Sequence, residues 1–223
     1  MVGVLFDLDG TLHDRIEGVR AFAKDQFSRL GIDIRQLDHY VARFLALDAN
    51  GKVWKDEVYA QLVEEFQLKT GHVVDTLVTE YLMLYPRFAI EVKDATFVLQ
   101  TLKACEVAIG IVTNGRSDLQ QAVIKSLGFG AFVKTIVISE EVGFRKPQHQ
   151  IFEIALEQLG TQASETTFVG DDLYADVGGA LMAGLYPIAM HCREAPDGVI
   201  CVNTMRDVLH AICTRYGLPE REG

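Results

Sequence analysis

The chain opens with Val2-Gly3-Val4-Leu5-Phe6-Asp7-Leu8-Asp9-Gly10-Thr11, and this stretch decides the fold. Its first residues form a short apolar run, which is cut off by acidic residues and a glycine. Continuous apolar runs of this length are typical of parallel strands that are buried on both faces. We therefore expect a first buried strand over residues 2–6, with Asp7 and Asp9 at its carboxyl end.

Further apolar runs follow in the second half of the chain, at residues 107–112, 135–138, 167–169 and 187–190. Helical patterns alternate with them, at residues 95–105, 118–127, 148–159 and 173–183. Strands that alternate with helices indicate right-handed βαβ units. The sequence thus predicts an α/β protein with a doubly wound parallel sheet that is covered by helices on both faces.

The stretch from about residue 15 to residue 88 has a different character, since it holds no convincing buried strand. It offers four amphipathic helical segments, at residues 18–30, 37–47, 53–66 and 72–84. An all-helical block between the first two strands of a parallel sheet is best explained as an inserted domain. We predict a core domain of residues 1–14 and 89–223, a helical domain of residues 15–88, and a frayed tail over residues 218–223.

Composition narrows the class of protein. The 223 residues are 49% hydrophobic and carry a net charge of −10, with no cluster of Lys and Arg, which argues against nucleic acid as a partner. No apolar run approaches the ~20 residues that span a bilayer, and no secretory leader is visible, so we expect a cytoplasmic protein without membrane contact. The four cysteines (Cys105, Cys192, Cys201 and Cys213) lie far apart, and we expect reduced thiols.

Polar residues follow the predicted strands, at the edge where ligands bind in doubly wound sheets. Asp7 and Asp9 project to the same side because side chains alternate along a strand. Two like charges this close need a cation or a shared proton to relieve their repulsion. A turn with capping aspartates would also account for the pair.

The next two strand ends carry groups that suit an anion. The second strand ends in Thr113-Asn114-Gly115, where a hydroxyl and free backbone N–H groups can cradle an oxyanion, although a plain turn has the same sequence. Lys146 precedes Pro147 at the predicted start of a helix, where it can neutralise a phosphate oxygen or lie solvated on the surface.

The fourth strand ends in Gly170-Asp171-Asp172, with Asp176 beyond. Consecutive acids after an apolar strand suit a hard divalent cation, and Mg²⁺ fits best beside a phosphate. A helix N-cap would explain Asp172 but neither of the other two acids.

In combination these elements resemble the haloacid dehalogenase superfamily, over essentially the whole chain. The matching segments are Phe6-Asp7-Leu8-Asp9-Gly10-Thr11-Leu12, Val112-Thr113-Asn114-Gly115, Lys146-Pro147 and Gly170-Asp171-Asp172 with Asp176. The resemblance implies a Rossmann-like core and identifies the helical block with the family's mobile cap, which closes over small soluble substrates.

The resemblance also implies roles for the residues at the strand ends. Asp7 would be the nucleophile that forms an aspartyl-phosphate, and Asp9 the general acid and base. Thr113, the Asn114 amide and Lys146 would bind the phosphate. Mg²⁺ would be held by Asp7, the Asp9 carbonyl and Asp171, while Asp172 and Asp176 would orient these ligands.

The expected activity is that of a Mg²⁺-dependent phosphatase, a phosphoric monoester hydrolase acting on a nucleotide, a sugar phosphate or a phosphoglycolate-like ester. Relatives that displace halide resemble this chain but lack the second aspartate, so Asp9 favours phosphate chemistry. Phosphomutases of the β-phosphoglucomutase type usually carry a serine where this chain has Asn114. A phosphomutase, a phosphoaccepting signalling domain and a catalytically silent binding protein remain as alternatives, and the protein would be a monomer or a homodimer.

Some positions have no settled role. Candidates for setting specificity from the helical block are Tyr40, Arg43, Trp54, Lys55 and Tyr59. Packing between helices is the simpler explanation of the aromatic residues, and a solvated position is the simpler explanation of Arg43 and Lys55. His13 stands where the family usually has an aliphatic residue, and either touches the substrate or the cap at the mouth of the site or is a tolerated exposed histidine. Gln148 and His149 follow Lys146-Pro147 where relatives often have Asp-Pro, which weakens the expected support of the lysine. The remaining histidines (His39, His72, His191 and His210) have no metal-site spacing.

Overall fold

The computed structural model describes residues 1–68, 73–194 and 196–219, and it divides into two compact units. One unit comprises Met1–His13 and Glu91–Gly223, and the other comprises Asp14–Ile90. His72 and the end of the predicted tail, residues 220–223, lie outside the described residues. Within the described ranges, no helix is both long enough and apolar enough to cross a membrane.

The first unit is built on a six-stranded parallel sheet. Its strands are β1 (Gly3–Phe6), β2 (Ala108–Thr113), β3 (Thr135–Ile138), β4 (Thr166–Gly170), β5 (Tyr186–Met190) and β6 (Ile200–Val202). They lie in the order β3-β2-β1-β4-β5-β6, and every neighbouring pair is parallel. The strand order reverses at β1, which confirms the predicted doubly wound α/β fold and places a ligand crevice at the carboxyl end of β1.

Ten α-helices complete the described part of the chain. They are α1 (Arg15–Arg29), α2 (Leu37–Asp48), α3 (Lys55–Glu65), α4 (Val74–Leu84), α5 (Ala95–Ala104), α6 (Ser117–Ser126), α7 (Ser139–Val142), α8 (His149–Leu159), α9 (Gly179–Met182) and α10 (Met205–Tyr216). The first four form the helical unit, and the other six belong to the unit that contains the sheet. The helix predicted over residues 173–183 is divided, because a π-helical segment, Leu173–Gly178, precedes α9.

The core between the sheet and α8 is apolar and closely packed. Leu5, Val112 and Phe168 from three strands are fully buried against Phe152 and its helical neighbours. The rings of Phe152 and Phe168 meet edge to face, with centroids 5.2 Å apart. This packing fixes the carboxyl ends of the central strands, where the polar residues lie.

The helical unit has an aromatic interior around the ring of Phe22, which contacts Phe44 and Tyr81 edge to face. Tyr40 and Tyr59 are fully buried, and both donate their hydroxyl groups to Gln26 Oε1, at 3.0 and 3.1 Å. These two tyrosines are therefore packing residues of the unit.

Two features at the end of the chain differ from expectation. The sequence pattern did not predict β6 or α10, although α10 begins with a capping box between Thr204 and Asp207. Cys192 and Cys201 form a disulfide, so the expectation of four reduced thiols is wrong for this pair. Parallel pairing of β5 with β6 brings the two Cα atoms to 6.0 Å, a proximity that the spacing along the chain does not reveal.

Candidate active site

Asp7 directly follows β1 at the point where the strand order reverses. Its backbone N–H donates to the carbonyl oxygen of Val169 on β4 (2.8 Å), which continues the ladder one residue beyond the strand. The side chain is buried, with 6% of the residue exposed. A carboxylate held this rigidly at the carboxyl end of a central strand is well placed to act on a ligand in the crevice.

Lys146 supplies a local positive charge beside Asp7, in a protein whose net charge is −10. Its Nζ lies 2.6 Å from Asp7 Oδ1 and 2.6 Å from Asp176 Oδ1, and the side chain is buried. Burial alone would lower the pKa of Lys146, but the two carboxylates raise it above its ordinary value. The lysine is therefore a permanent cation in the site.

The loop that carries Lys146 is fixed by Asn114. The Asn114 side chain accepts a hydrogen bond from the Lys146 backbone N–H (2.9 Å) and donates to the Lys146 carbonyl oxygen (3.0 Å). Gln148 adds a contact from its side chain to the Arg145 backbone N–H (2.8 Å), and the peptide bond between Lys146 and Pro147 is cis. The departure at Gln148 therefore does not leave the lysine unsupported.

Three carboxylates converge beside the lysine. Oxygen atoms of Asp7, Asp171 and Asp176 lie within 4.8 Å of one another. Burial is the main reason why the pKa of Asp7 is well above its ordinary value, and Lys146 opposes the rise. Asp176 and Asp171 add to it by repulsion. Burial, followed by repulsion from Asp176, raises the pKa of Asp171 to about 6.

The cluster has the donor set of a divalent-cation site. Three carboxylates against one ammonium group leave two negative charges when all the groups are ionised, and the ligand atoms are hard oxygens. Mg²⁺ prefers such ligands. The residues present therefore fit the ion that the sequence predicts, with the Asp176 carboxylate added to those of Asp7 and Asp171.

Two glycines allow this crowding. A Cβ on Gly10, which has a φ of +87°, would lie 2.4 Å from Asp171 Oδ2. A Cβ on Gly170 would lie equally close to Asp176. Only glycine leaves the space in which these carboxylates approach the strand ends.

Asp9 does not join the acid cluster through its side chain. Its carboxylate is partly exposed and lies between two polar side chains. His13 Nδ1 lies 2.7 Å from Oδ1, and Gln120 Nε2 donates to Oδ2 at 3.1 Å. The same Gln120 nitrogen donates to Thr113 Oγ1 at 2.7 Å, so that one amide connects Asp9 to Thr113 at the end of β2.

Asp172 has a local structural role. Its carboxylate accepts hydrogen bonds from the backbone N–H groups of Tyr174 and Ala175, both at 2.9 Å, and caps the π-helical segment. Asp176, one turn later, accepts from the Asp172 backbone N–H at 3.1 Å. These bonds bring Asp176 back toward the strand end and into the acid cluster.

The sequence of the chain matches a known protein family. The family described as haloacid dehalogenase-like hydrolase matches residues 4–190, which is most of the chain. The chain belongs to this family. The match spans the strand ends that carry Asp7, Thr113, Lys146 and Asp171.

Several known proteins are similar to this chain over most of its length. Ribulose-1,5-bisphosphate 5-phosphatase of Halopiger xanaduensis is 32% identical over 226 residues, which covers 95% of each chain. Glyceraldehyde 3-phosphate phosphatase of Methanocaldococcus jannaschii is 26% identical over 83% of each chain. The magnesium-bound crystal structure of the HAD-hydrolase YfnB of Bacillus subtilis superimposes with a TM-score of 0.72. It is 23% identical and covers 95% of this chain and 98% of YfnB, so it supports the fold.

The structure adds two site residues that the sequence analysis missed or misjudged. His13 is fully buried against Asp9, so the exposed position expected for it is wrong. Gln120 was not singled out at all. The available signal was a polar residue on the otherwise apolar face of α6, in the same stripe as Val123 and Ile124.

Proposed function

We propose that the protein is a Mg²⁺-dependent phosphatase that hydrolyses small phosphorylated metabolites through an aspartyl-phosphate on Asp7. The observation that carries this proposal is the Asp7 carboxylate itself, which is held at the crevice by Lys146 while Asp9 stands two residues away on the same turn. The relatives named as sugar-phosphate and triose-phosphate phosphatases support a phosphate monoester as substrate.

The first half-reaction transfers the phosphoryl group to the protein. An Asp7 oxygen attacks phosphorus, the bond between phosphorus and the ester oxygen breaks, and Asp9 donates its proton to the leaving alcohol. Lys146 neutralises charge on the phosphoryl oxygens, and the Thr113 hydroxyl and the Asn114 backbone N–H donate to them. The buried position of Asp7 keeps bulk water away from the reacting carboxylate.

The second half-reaction regenerates the carboxylate. Asp9, now ionised, takes a proton from a water molecule whose oxygen attacks phosphorus, and the bond between phosphorus and Asp7 breaks. Inorganic phosphate leaves, and Asp9 carries a proton again. One pair of aspartates thus provides the nucleophile, the acid and the base.

The metal ion would be held by the carboxylates of Asp7 and Asp171 and by the Asp9 carbonyl oxygen, with Asp176 beside them. When bound, Mg²⁺ would supply charge neutralisation for the phosphoryl group and for the buried acids. Asp172 orients this set through Asp176, since its backbone N–H donates to the Asp176 carboxylate.

The test is release of inorganic phosphate from a panel of esters, with and without Mg²⁺, by wild type and Asp7→Asn. The panel comprises a pentulose bisphosphate, a triose phosphate, phosphoglycolate, nucleoside monophosphates and an aryl phosphate. We expect release that depends on Mg²⁺ and falls at least about 10³-fold in Asp7→Asn, because the nucleophile is lost. Asp25→Asn, on the exposed surface of α1, is the control and should retain wild-type activity.

Two further results would decide against the proposal. Phosphate release that survives Asp7→Asn would exclude Asp7 as the nucleophile. Transfer of phosphate to a second hydroxyl of the substrate without free phosphate would identify a mutase.

Intact-protein mass spectrometry during turnover should show a transient gain of one phosphoryl group that is absent in Asp7→Asn.

A further inference from the structure

The side-chain amide of Gln120 lies in the candidate active site but takes no part in the two proposed half-reactions. The residue lies in α6, is 3% exposed, and reaches two groups that act on the substrate at different points. Its Nε2 lies 3.1 Å from Asp9 Oδ2 and 2.7 Å from Thr113 Oγ1. Gly115 leaves room for this approach, because a Cβ there would lie 2.9 Å from Gln120 Cγ.

The chemistry of the neighbours fixes the orientation of the amide. In the ionised state, in which Asp9 acts as the base, its carboxylate only accepts hydrogen bonds, so the side of the amide that faces Asp9 is then the NH₂ group. That group has two hydrogen atoms, and the two contacts use one each. Thr113 Oγ1 therefore accepts from Gln120, and the Thr113 hydroxyl hydrogen remains available to donate to another oxygen.

On the other side of Asp9 the second carboxylate oxygen is also held. His13 Nδ1 lies 2.7 Å from Asp9 Oδ1, and the histidine is fully buried. With one partner on each oxygen, the plane of the carboxylate is fixed from both sides. A general acid is effective only when its proton points at the leaving oxygen, so the plane of Asp9 matters for the first half-reaction.

We propose that Gln120 is a positioning residue that aligns the Asp9 carboxylate for proton transfer and directs the Thr113 hydroxyl hydrogen toward the substrate phosphoryl group. This inference rests on the proposed phosphatase function and deepens it. One amide group thereby orients both Asp9, which protonates the leaving group, and Thr113, which binds the phosphate. His13 completes the alignment from the opposite oxygen.

The test compares esters that differ in their need for a proton. Gln120→Met keeps the length of the side chain and removes both N–H donors. We expect kcat/KM, which reports the first half-reaction, to fall roughly 10²-fold for an alkyl phosphate, whose alkoxide leaves poorly without a proton. For 4-nitrophenyl phosphate, whose phenolate leaves readily without a proton, we expect kcat/KM to fall less than about tenfold. Only the loss of orientation of the Thr113 hydroxyl should affect this ester.

The matched control is Gln121→Met, the same substitution at the next residue, where the side chain is exposed and bonds to Glu141. It should leave both esters at wild-type kcat/KM. Equal losses on the two esters in Gln120→Met, or no loss on either, would overturn the proposal. Circular dichroism and thermal unfolding of the variant show whether the protein is folded.

A measurement without substrate tests the hydrogen bonds directly. In ¹H–¹⁵N spectra, the side-chain amide protons of Gln120, assigned by their loss in Gln120→Met, should exchange with solvent far more slowly than those of Gln121. Thr113→Val should accelerate the exchange of one of them. Rapid exchange in the wild type would refute the inference while leaving the phosphatase intact, whereas absence of phosphate release from every ester would refute the proposed function.

Discussion

Asp48, the last residue of α2, holds two cations in the interior of the helical unit. Its carboxylate accepts hydrogen bonds from both terminal nitrogens of Arg15 and from Lys55 Nζ, and also from the Gly51 backbone N–H at 2.9 Å. The side chains of Arg15, Asp48 and Lys55 are 8%, 1% and 2% exposed. The substitution Asp48→Asn removes the negative charge that pairs with both buried cations.

The expected cost follows from the burial of the cluster. Removing one partner of a buried ion pair destabilises a protein by about 3–5 kcal/mol, because a charge stays buried without compensation. In a chain of this size that loss lowers the melting temperature by about 6–20 °C. The matched control is Asp33→Asn, which breaks an Asp–Arg pair on the surface, with side chains 39% and 86% exposed. Exposed pairs are worth about 0–1 kcal/mol.

The pH dependence has a definite sign. Burial alone would raise the pKa of Asp48, but the hydrogen bonds and charges of Arg15 and Lys55 bring it below its ordinary value. A carboxylate whose pKa is lowered in the folded state stabilises the protein above its unfolded pKa of about 4, and loses that contribution as the pH falls through the folded value. The difference between wild type and Asp48→Asn should therefore be complete at neutral pH and shrink in acid.

The assay is urea unfolding followed by tryptophan fluorescence. The single tryptophan of the chain, Trp54, precedes α3, so its emission follows the unit that contains the cluster. A loss below about 1 kcal/mol, equal to that of Asp33→Asn, would refute the reasoning. The triple variant Arg15→Met, Asp48→Leu, Lys55→Met should recover most of the stability, since apolar residues can replace a buried ionic cluster.

Two other predictions follow from local geometry. Gly10→Ala should lower kcat about 10²-fold, because the new Cβ displaces the Asp171 carboxylate. Gly128→Ala has a similar positive φ with open space around it, so it should cost only the ~1–2 kcal/mol of backbone strain, and equal activity of the two variants would contradict the argument. Thiol titration of the unfolded, unreduced protein should find two of the four cysteines free, and reduction of Cys192–Cys201 should cost about 2–3 kcal/mol in urea unfolding. Four free thiols before reduction would show that the pair is not bonded.

The sequence predicts the sheet well where strands are buried on both faces. All four residues of β1 and all six of β2 are buried, and their apolar runs are visible in the sequence. The edge strand β6 has three residues, and the first two are exposed, so no apolar run marks it. Only pairing with β5 makes these residues a strand, and pairing is not visible in the periodicity of one segment.

The candidate site was predictable to the same extent and for the same reason. Asp7 and Asp171 directly follow a strand, Thr113 ends one, and Lys146 lies in the loop before α8. The parallel order of the sheet brings such positions to one edge. The sequence predicted only an orienting role for Asp176. Its place in the acid cluster depends on the π-helical segment, which turns the Asp176 carboxylate toward the end of β4. The sequence pattern indicated an ordinary helix there.

The residues that contact Asp9 illustrate why the orienting residues of the site could not be predicted from the sequence. His13 reaches Asp9 from four residues away, through a turn in which Gly10 N–H donates to the His13 carbonyl oxygen at 2.9 Å. Gln120 reaches it from 111 residues away, through the helical phase of α6. Neither path follows from the spacing of residue types, because each needs a side-chain direction that is set only after the turn and the helix have packed. Residues that do the chemistry must stand at strand ends, whereas residues that orient them can come from any element whose packed face points inward. A polar residue in an otherwise apolar helical stripe, such as Gln120, therefore indicates that its side chain has a buried hydrogen-bond partner on another element.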